Sequence, residues 1–477
     1  MLDFTIRRRI RAIIATAAVG YLVVAGLAGG ASAQKSVPES AEGITLSFAP
    51  LVKQAAPAVV NIFTRKAVQR RASPLFDDPF FRRFFGDAFP RQQRERVETS
   101  LGSGVIVQPD GLVVTNFHVI SGADEIKVVL ADRREFTATV LREDERSDLA
   151  VLKIEPAGPV FPHIEIGDSD DLEVGDLVIA IGNPFGVGQT VTSGIVSGLA
   201  RTNVGITDFN FFIQTDAAIN PGNSGGALLR MDGKLAGVNT AIFSRSGGSQ
   251  GIGFAVPGNM VRTVIAGAAG SGPLQRPWLG ADMQDVTAEI AEAIGLPRPT
   301  GALISELHPD GPARRAGLRV GDIIVEIDGQ RVDDMESLAF RIATSQIGND
   351  ADLSVMRSNG DVRIRLALEA PPEIPLRNET LLRGAQPMAG ATVVNLSPAV
   401  AEERGFSRLT AGVVIVEVIR GSPAARLGFR PDDVVLRVND TEIGSVATLV
   451  GAVEDRPEAW RLAIRRNGQR LTVTVPG

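Results

Sequence analysis

The sequence predicts a mainly β protein of several domains, and three observations carry that prediction. At about 150 residues per domain, 477 residues make roughly three domains, each able to bury its own core. The 51 glycines and 28 prolines exceed ordinary usage for glycine, so many tight turns between short strands are expected. Finally, short apolar runs recur from Leu101 to about Phe254 at strand spacing, separated by Gly, Asn and Asp turns, a pattern of barrels or sandwiches.

Residues 1–33 read as a secretory signal peptide. Arg7, Arg8, Arg9 and Arg11 form a basic start, Ala12 to Ala28 is uncharged and mostly apolar, and Ala31-Ser32-Ala33 is a small-residue cleavage signal. An uncleaved anchor competes with this reading, because the uncharged stretch from Ala12 to Ala33 is long enough to span a bilayer; membrane association is expected only through that segment. A first domain is expected over 34–270. Within it, a loop at about 66–98 holds six phenylalanines between Phe76 and Phe89, a local pocket filling, a contact surface for another subunit or a cap over a site. Strands are expected at Val105–Val107, Leu112–Thr115, Glu125–Leu130, Phe136–Leu141, Leu149–Ile154, Leu177–Ile181, Gln189–Val196, Phe211–Gln214 and Leu235–Thr240, with a helix from near Pro257 to before Gly270.

The last third is an internal repeat. Pro312-Ala313-Arg314-Arg315-Ala316-Gly317-Leu318, ahead of Asp322-Ile323-Ile324, recurs as Pro423-Ala424-Ala425-Arg426-Leu427-Gly428-Phe429 ahead of Asp433-Val434-Val435, at a constant offset of 111. Two copies of one small domain follow, at 277–370 and 383–477, joined by a proline-rich linker, 371–382.

Composition excludes several chemistries. Without cysteine there is no disulfide, thiolate metal site or cysteine nucleophile. Three histidines, His118, His163 and His308, cannot build a histidine-rich metal cluster, so no metal and no cofactor are expected. A net charge of -6 argues against general affinity for nucleic acid.

Chemistry concentrates at Gly222-Asn223-Ser224-Gly225-Gly226. A serine hydroxyl needs a base to take its proton and amide donors to receive the charge that develops on a substrate carbonyl. Glycine at 222 permits backbone N–H groups from the Gly222-Asn223-Ser224 turn to converge as an oxyanion hole. Taken alone, the string also fits an ordinary glycine turn. His118, just after an apolar strand, is the best-placed base, although a histidine at a strand end is usually structural. Asp148, at the mouth of the apolar run Leu149-Ala150-Val151-Leu152, is costly to bury unless bonded, and orienting His118 would satisfy it; capping a turn would too. The three occur in the order His, Asp, Ser. That order belongs to chymotrypsin-like double β-barrels rather than to the α/β or subtilisin arrangements.

With Thr115-Asn116-Phe117-His118-Val119, Ser147-Asp148-Leu149-Ala150-Val151, Gly182-Asn183-Pro184-Phe185, Gln214-Thr215-Asp216-Ala217-Ala218-Ile219-Asn220 and Gly222-Asn223-Ser224-Gly225-Gly226, the chain resembles the HtrA/DegP (Do-like) periplasmic serine endoproteases over nearly all of its length. The resemblance implies a trypsin-like protease domain followed by two PDZ domains, and ATP-independent cleavage of misfolded or unfolded proteins in the periplasm. It further implies capture of substrates and their C-terminal peptides by PDZ modules, and homo-oligomers built as trimers and larger multiples. It assigns Ile219, Ala241, Ile242 and Phe243 to the S1 pocket, favouring Val, Ala or Ile before the cut. Arg201 matches a regulatory arginine. Trp278-Leu279-Gly280-Ala281 looks like the carboxylate-binding loop of the first PDZ module; in the second the corresponding stretch is Met388-Ala389-Gly390-Ala391, whose alanine weakens the case for peptide binding and points to assembly. A chaperone or scaffold that holds unfolded chains, with proteolysis secondary, is the alternative reading.

Overall fold

The computed structural model describes residues 47–66, 98–155, 160–183, 188–201, 211–242, 249–268, 270, 274–357, 360–406, 412–454 and 457–476. The signal segment, the phenylalanine-rich loop and Phe243 lie outside the described residues.

A short helix, Ala49–Ala55, leads into the first sheet, made of β1 (Val59–Lys66), β2 (Glu98–Gln108), β3 (Leu112–Thr115), β4 (Glu125–Val129), β5 (Glu135–Thr137), β6 (Thr139–Asp144) and β7 (Leu149–Lys153). Its order is β5-β4-β1-β2-β3-β7-β6, antiparallel throughout. The single run expected at Phe136–Leu141 is two strands, broken at Ala138, whose N–H turns back to Ile126. The second sheet closes on itself as a barrel, β10-β13-β12-β11-β8-β9, from β8 (Leu177–Gly182), β9 (Thr190–Arg201), β10 (Phe212–Thr215), β11 (Ala227–Arg230), β12 (Leu235–Ile242) and β13 (Gly253–Pro257). Strands such as Leu149-Ala150-Val151-Leu152 are buried at every residue because both faces are covered. One face looks into the sheet's own core, while the helix Gly258–Ala268 lies across β6, β7 and β12.

The two repeated modules have parallel plans. The first orders β14 (Ala281–Asp285), β15 (Ala302–Leu307), β16 (Ile323–Ile327), β18 (Asp350–Met356) and β19 (Val362–Ala367), with β17 (Gln330–Arg331) on β16. The second orders β20 (Thr380–Leu381), β21 (Ala391–Asn395), β22 (Val413–Val418), β23 (Val434–Val438), β25 (Ala459–Arg466) and β26 (Gln469–Pro476), with β24 (Thr441–Glu442) on β23. The repeat extends to an ion pair. Arg357 grips Asp322 through Nε and Nη2, both at 2.7 Å, and Arg466 grips Asp433 in the same way at 2.6 Å, each arginine also donating to the carbonyl of Gly317 or Gly428. The segment 371–382, expected as a linker, departs from that reading. Its end is β20, because the backbone there finds ladder partners on β21.

Against the protease-like body, the first module's helix Met335–Thr344 stacks Phe340 on Phe211 with ring centroids 3.9 Å apart, and Arg341 reaches Asp170 at 2.5 Å.

Candidate active site

His118 lies just after strand β3, as expected. It sits on a single helical turn, Phe117–Ile120, which follows β3 once Asn116 has left the ladder with extended backbone angles. Asp148 closes the short turn Glu145–Ser147 in a left-handed conformation, φ 54°, a geometry that aspartate tolerates better than most side chains. The two turns are laced together by main-chain bonds. The Asp148 carbonyl accepts from Asn116 Nδ2 (2.9 Å) and from the Phe117 N–H (3.2 Å).

The Asp148 side chain is 4% exposed, so every donor around its carboxylate counts. Oδ1 accepts the His118 backbone N–H at 3.0 Å, Oδ2 lies 2.8 Å from His118 Nδ1, and Oδ2 also accepts the Thr240 hydroxyl at 2.5 Å. A carboxylate only accepts, so in the neutral imidazole the proton sits on Nδ1 and Nε2 is the basic nitrogen. Ser224 is buried on the turn before β11, and its Oγ donates to the Thr240 carbonyl at 3.2 Å. The structure therefore brings His118 and Asp148 into contact and ties Ser224 to that pair through one residue, Thr240 of β12.

Behind Ser224 the backbone is pinned from the first sheet. Ser103 of β2 donates its N–H to the Ser224 carbonyl (2.8 Å) and its hydroxyl to the Gly222 carbonyl (2.7 Å), while that hydroxyl accepts from the Asn183 N–H (2.9 Å). Gly222 has φ 98° and Gly225 φ 83°, and a Cβ at Gly225 would overlap the Ser103 carbonyl oxygen and the Thr115 hydroxyl. Among the three amides expected in an oxyanion hole, that of Asn223 is spent on the Asn220 carbonyl at 2.9 Å. The Gly222 and Ser224 N–H groups have no partner among the described residues.

Ile219 and Ile242 pack in the buried cluster of the closed barrel, with Ala241 beside them on β12. Gly253, which the sequence did not single out, pairs with Ile242, and a Cβ there would stand 2.8 Å from Ile219 Cδ1. Arg201 ends β9 opposite Phe212, and its side chain lies outside the described residues. Thr240 and Ser103 were also missed: a threonine inside an apolar strand and a serine between glycines carry no local mark of a role.

The loop leading to Asp148 is anchored on the far side. Asp144 holds Arg276, 3% exposed, and accepts from the Ser147 hydroxyl, while Arg146 reaches Glu402 of the second module at 2.6 Å. Burial pushes the Arg276 guanidinium below its usual value, opposed by Asp144. Among the described residues no group of three or more His, Asp or Glu could hold a metal ion.

In the first module, the carbonyls of the Trp278-Leu279-Gly280-Ala281 loop are held: Leu279 accepts from Ala313 (3.0 Å) and Gly280 from His308 (2.9 Å). The Leu279 and Gly280 amides have no partner among the described residues, and β14 is the outer strand of its sheet. His308 packs edge-on against Trp278, with centroids 5.0 Å apart.

Comparison with known proteins agrees with this architecture. The trypsin-like peptidase domain profile matches residues 102–238, and PDZ domain profiles match 303–348 and 389–476. A probable periplasmic serine endoprotease DegP-like of Ectopseudomonas mendocina (strain ymp) is 39% identical over 475 residues, covering 95% of this chain and 97% of that protein. The periplasmic pH-dependent serine endoprotease DegQ of Escherichia coli (strain K12) is 38% identical, covering 96% and 95%. Among solved structures, the HtrA-type protease AlgW with a decapeptide aligns at a TM-score of 0.51 with 46% identity, over 69% of this chain and 99% of that one.

Proposed function

The chain belongs to the family of DegP-like periplasmic serine endoproteases, and on that premise we propose how its residues divide the work. It is a serine endopeptidase of the periplasm, and it binds peptide or protein substrate. Ser224 is the nucleophile, His118 the general base and Asp148 the group that orients and stabilises the imidazole. As Oγ attacks the scissile carbonyl carbon, its proton passes to His118 Nε2. The carbonyl oxygen then carries the negative charge toward the Gly222 and Ser224 amides. Collapse expels the amine, which takes the proton from His118 and leaves an ester on Ser224. Water, deprotonated by the same imidazole, hydrolyses that ester.

The observation that carries this reading is the Asp148 carboxylate, buried and bonded to His118 Nδ1 at 2.8 Å, with Thr240 joining it to Ser224. The apolar surroundings of Ile219, Ala241 and Ile242 support a small aliphatic residue before the cut. Misfolded or unfolded periplasmic proteins are the proposed substrates, with their C-terminal peptides taken at the open edge of β14 by strand addition. Trimers and larger multiples are proposed as the working assembly, and residues 1–33 as the export signal. Holding of unfolded chains is secondary to cleavage.

The test is digestion of reduced casein by the mature chain beside a Ser224→Ala variant. The variant should lose turnover by several orders of magnitude while retaining binding. Equal fragment yields from both proteins would remove Ser224 from the nucleophile's role.

A further inference from the structure

The two PDZ modules differ at the one edge where such a domain takes its ligand. Peptide capture of this kind adds a strand to an exposed sheet edge, seats the terminal side chain in an apolar pocket and delivers the carboxylate to backbone amides of the adjoining loop. In the first module that edge, β14, is the outer strand. In the second, the equivalent strand β21 is already covered: β20 pairs Thr380 with Val393 and Leu381 with Thr392 in antiparallel register.

The match goes beyond pairing. The Leu382 N–H donates to the Ala391 carbonyl at 2.9 Å, and the Leu382 carbonyl accepts the Gly390 N–H at 2.8 Å. Leu382 is 3% exposed and joins the module's main apolar core, to which Met388 of the loop and Val446 and Leu449 of the helix Val446–Glu454 also belong. Those are the three engagements of a ligand's terminal residue: an amide to the strand, a carbonyl oxygen to the loop, and a side chain to the pocket. The remaining loop amides are spent within the chain. Met388 donates to Gln386 Oε1 (2.6 Å), Ala389 to the Gln386 carbonyl (3.1 Å) and Ala391 to the Met388 carbonyl (3.0 Å). Upstream, the Asn395 N–H and Nδ2 hold the carbonyls of Arg377 and Leu376, each at 2.7 Å.

Resting on the assignment of both repeats as PDZ domains, we propose that the second module is occupied in cis: the segment Arg377–Leu382 is its ligand, with Leu382 in the place of a carboxy-terminal residue. The module is closed to free peptide C-termini while that strand is seated. A tethered occupant acts at millimolar effective concentration, so a free peptide of micromolar affinity displaces little of it. Cleavage products then compete only for the first module, and release of the strand would add a second peptide site to each chain.

The experiment uses the full chain as Ser224→Ala, so that the probe survives. The probe is the peptide Arg-Asn-Glu-Thr-Leu-Leu with a free carboxylate, the sequence of residues 377–382. Thr380 shares the bonding phase of Leu382 in the antiparallel ladder, so Thr380→Pro unseats β20. Leu382→Ala empties the pocket. Calorimetric titration should show one more bound peptide per chain in each variant than in the parent. An unchanged number, in a variant whose tryptophan emission and thermal transition match the parent's, overturns the proposal. Should the variants fail to fold, hydrogen exchange on the Ser224→Ala chain decides: the Leu382 and Gly390 amides should be protected to the level of Val393, and exchange at unstructured-chain rates refutes the proposal.

Discussion

Thr240 turns two groups of one residue toward two different partners, its hydroxyl to the Asp148 carboxylate and its carbonyl to the Ser224 hydroxyl. A buried carboxylate that loses a donor pays the desolvation of the unmatched lone pair, about 1–3 kcal/mol. Thr240→Val keeps the shape and removes the donor, so kcat should fall roughly tenfold or more as the His118–Asp148 pair loses its setting, with KM little changed. Steady-state kinetics on a chromogenic peptide check this, and a wild-type kcat in Thr240→Val would show the hydroxyl to be idle. Residue identity was legible where chemistry is rare. Three histidines and no cysteines leave few candidates, and the chain order His118, Asp148, Ser224 selects a fold. Threonine and serine are too common for Thr240 or Ser103 to be found that way.

Elements meet one another through their ends. Asp168 caps the turn Ser169–Asp171, accepting from the Asp170 N–H at 3.0 Å and from Asn259 Nδ2 at 2.9 Å on the helix Gly258–Ala268. Burial works to raise this carboxyl, but the Asp170 amide, Asn259 and the nearby Arg262 and Arg230 outweigh it and hold the group below its ordinary 3.8. A depressed acid stabilises the fold fully above its unfolded value and loses that contribution as pH falls through the folded one. Thermal melts of the parent and Asp168→Asn should therefore differ near neutrality and converge in acid below about pH 3.8. A gap that stays constant across that range would show that Asp168 contributes nothing through its charge. The elements themselves were partly legible. Eight of the nine expected runs fall on single strands, whereas Ala227–Arg230 and Gly253–Pro257 were missed where glycines at 225–226 and at 251 and 253 mark the chain as turn.

Across the whole molecule, the turn that bears Asp148 is where domains converge. Asp144 takes Arg276 from the segment before the first PDZ module, and Arg146 takes Glu402 from the second. Arg276→Ala would leave a buried carboxylate without its counter-charge, a loss of about 3–5 kcal/mol, large against the few that separate folded from unfolded. Calorimetry should show the protease transition moving to lower temperature, with Glu402→Gln, at a pair more exposed than Arg276–Asp144, moving it far less. Equal melting of Arg276→Ala and the parent would mean that the pair is replaced by solvent at no cost.

By itself the sequence determined the β class, the two-copy repeat and the trio of residues proposed for catalysis, because strand spacing, a constant offset and rare side chains are written along the chain. Only the tertiary structure decided what completes those features: Thr240 and Ser103 behind the nucleophile, the Asn223 amide spent on Asn220, and a supposed linker serving as an edge strand of the second module. The physical reason is common to all three. Hydrogen-bond partners of buried backbone and hydroxyl groups are chosen by proximity in the folded chain, and ordinary residues acquire a role only through what lies opposite them.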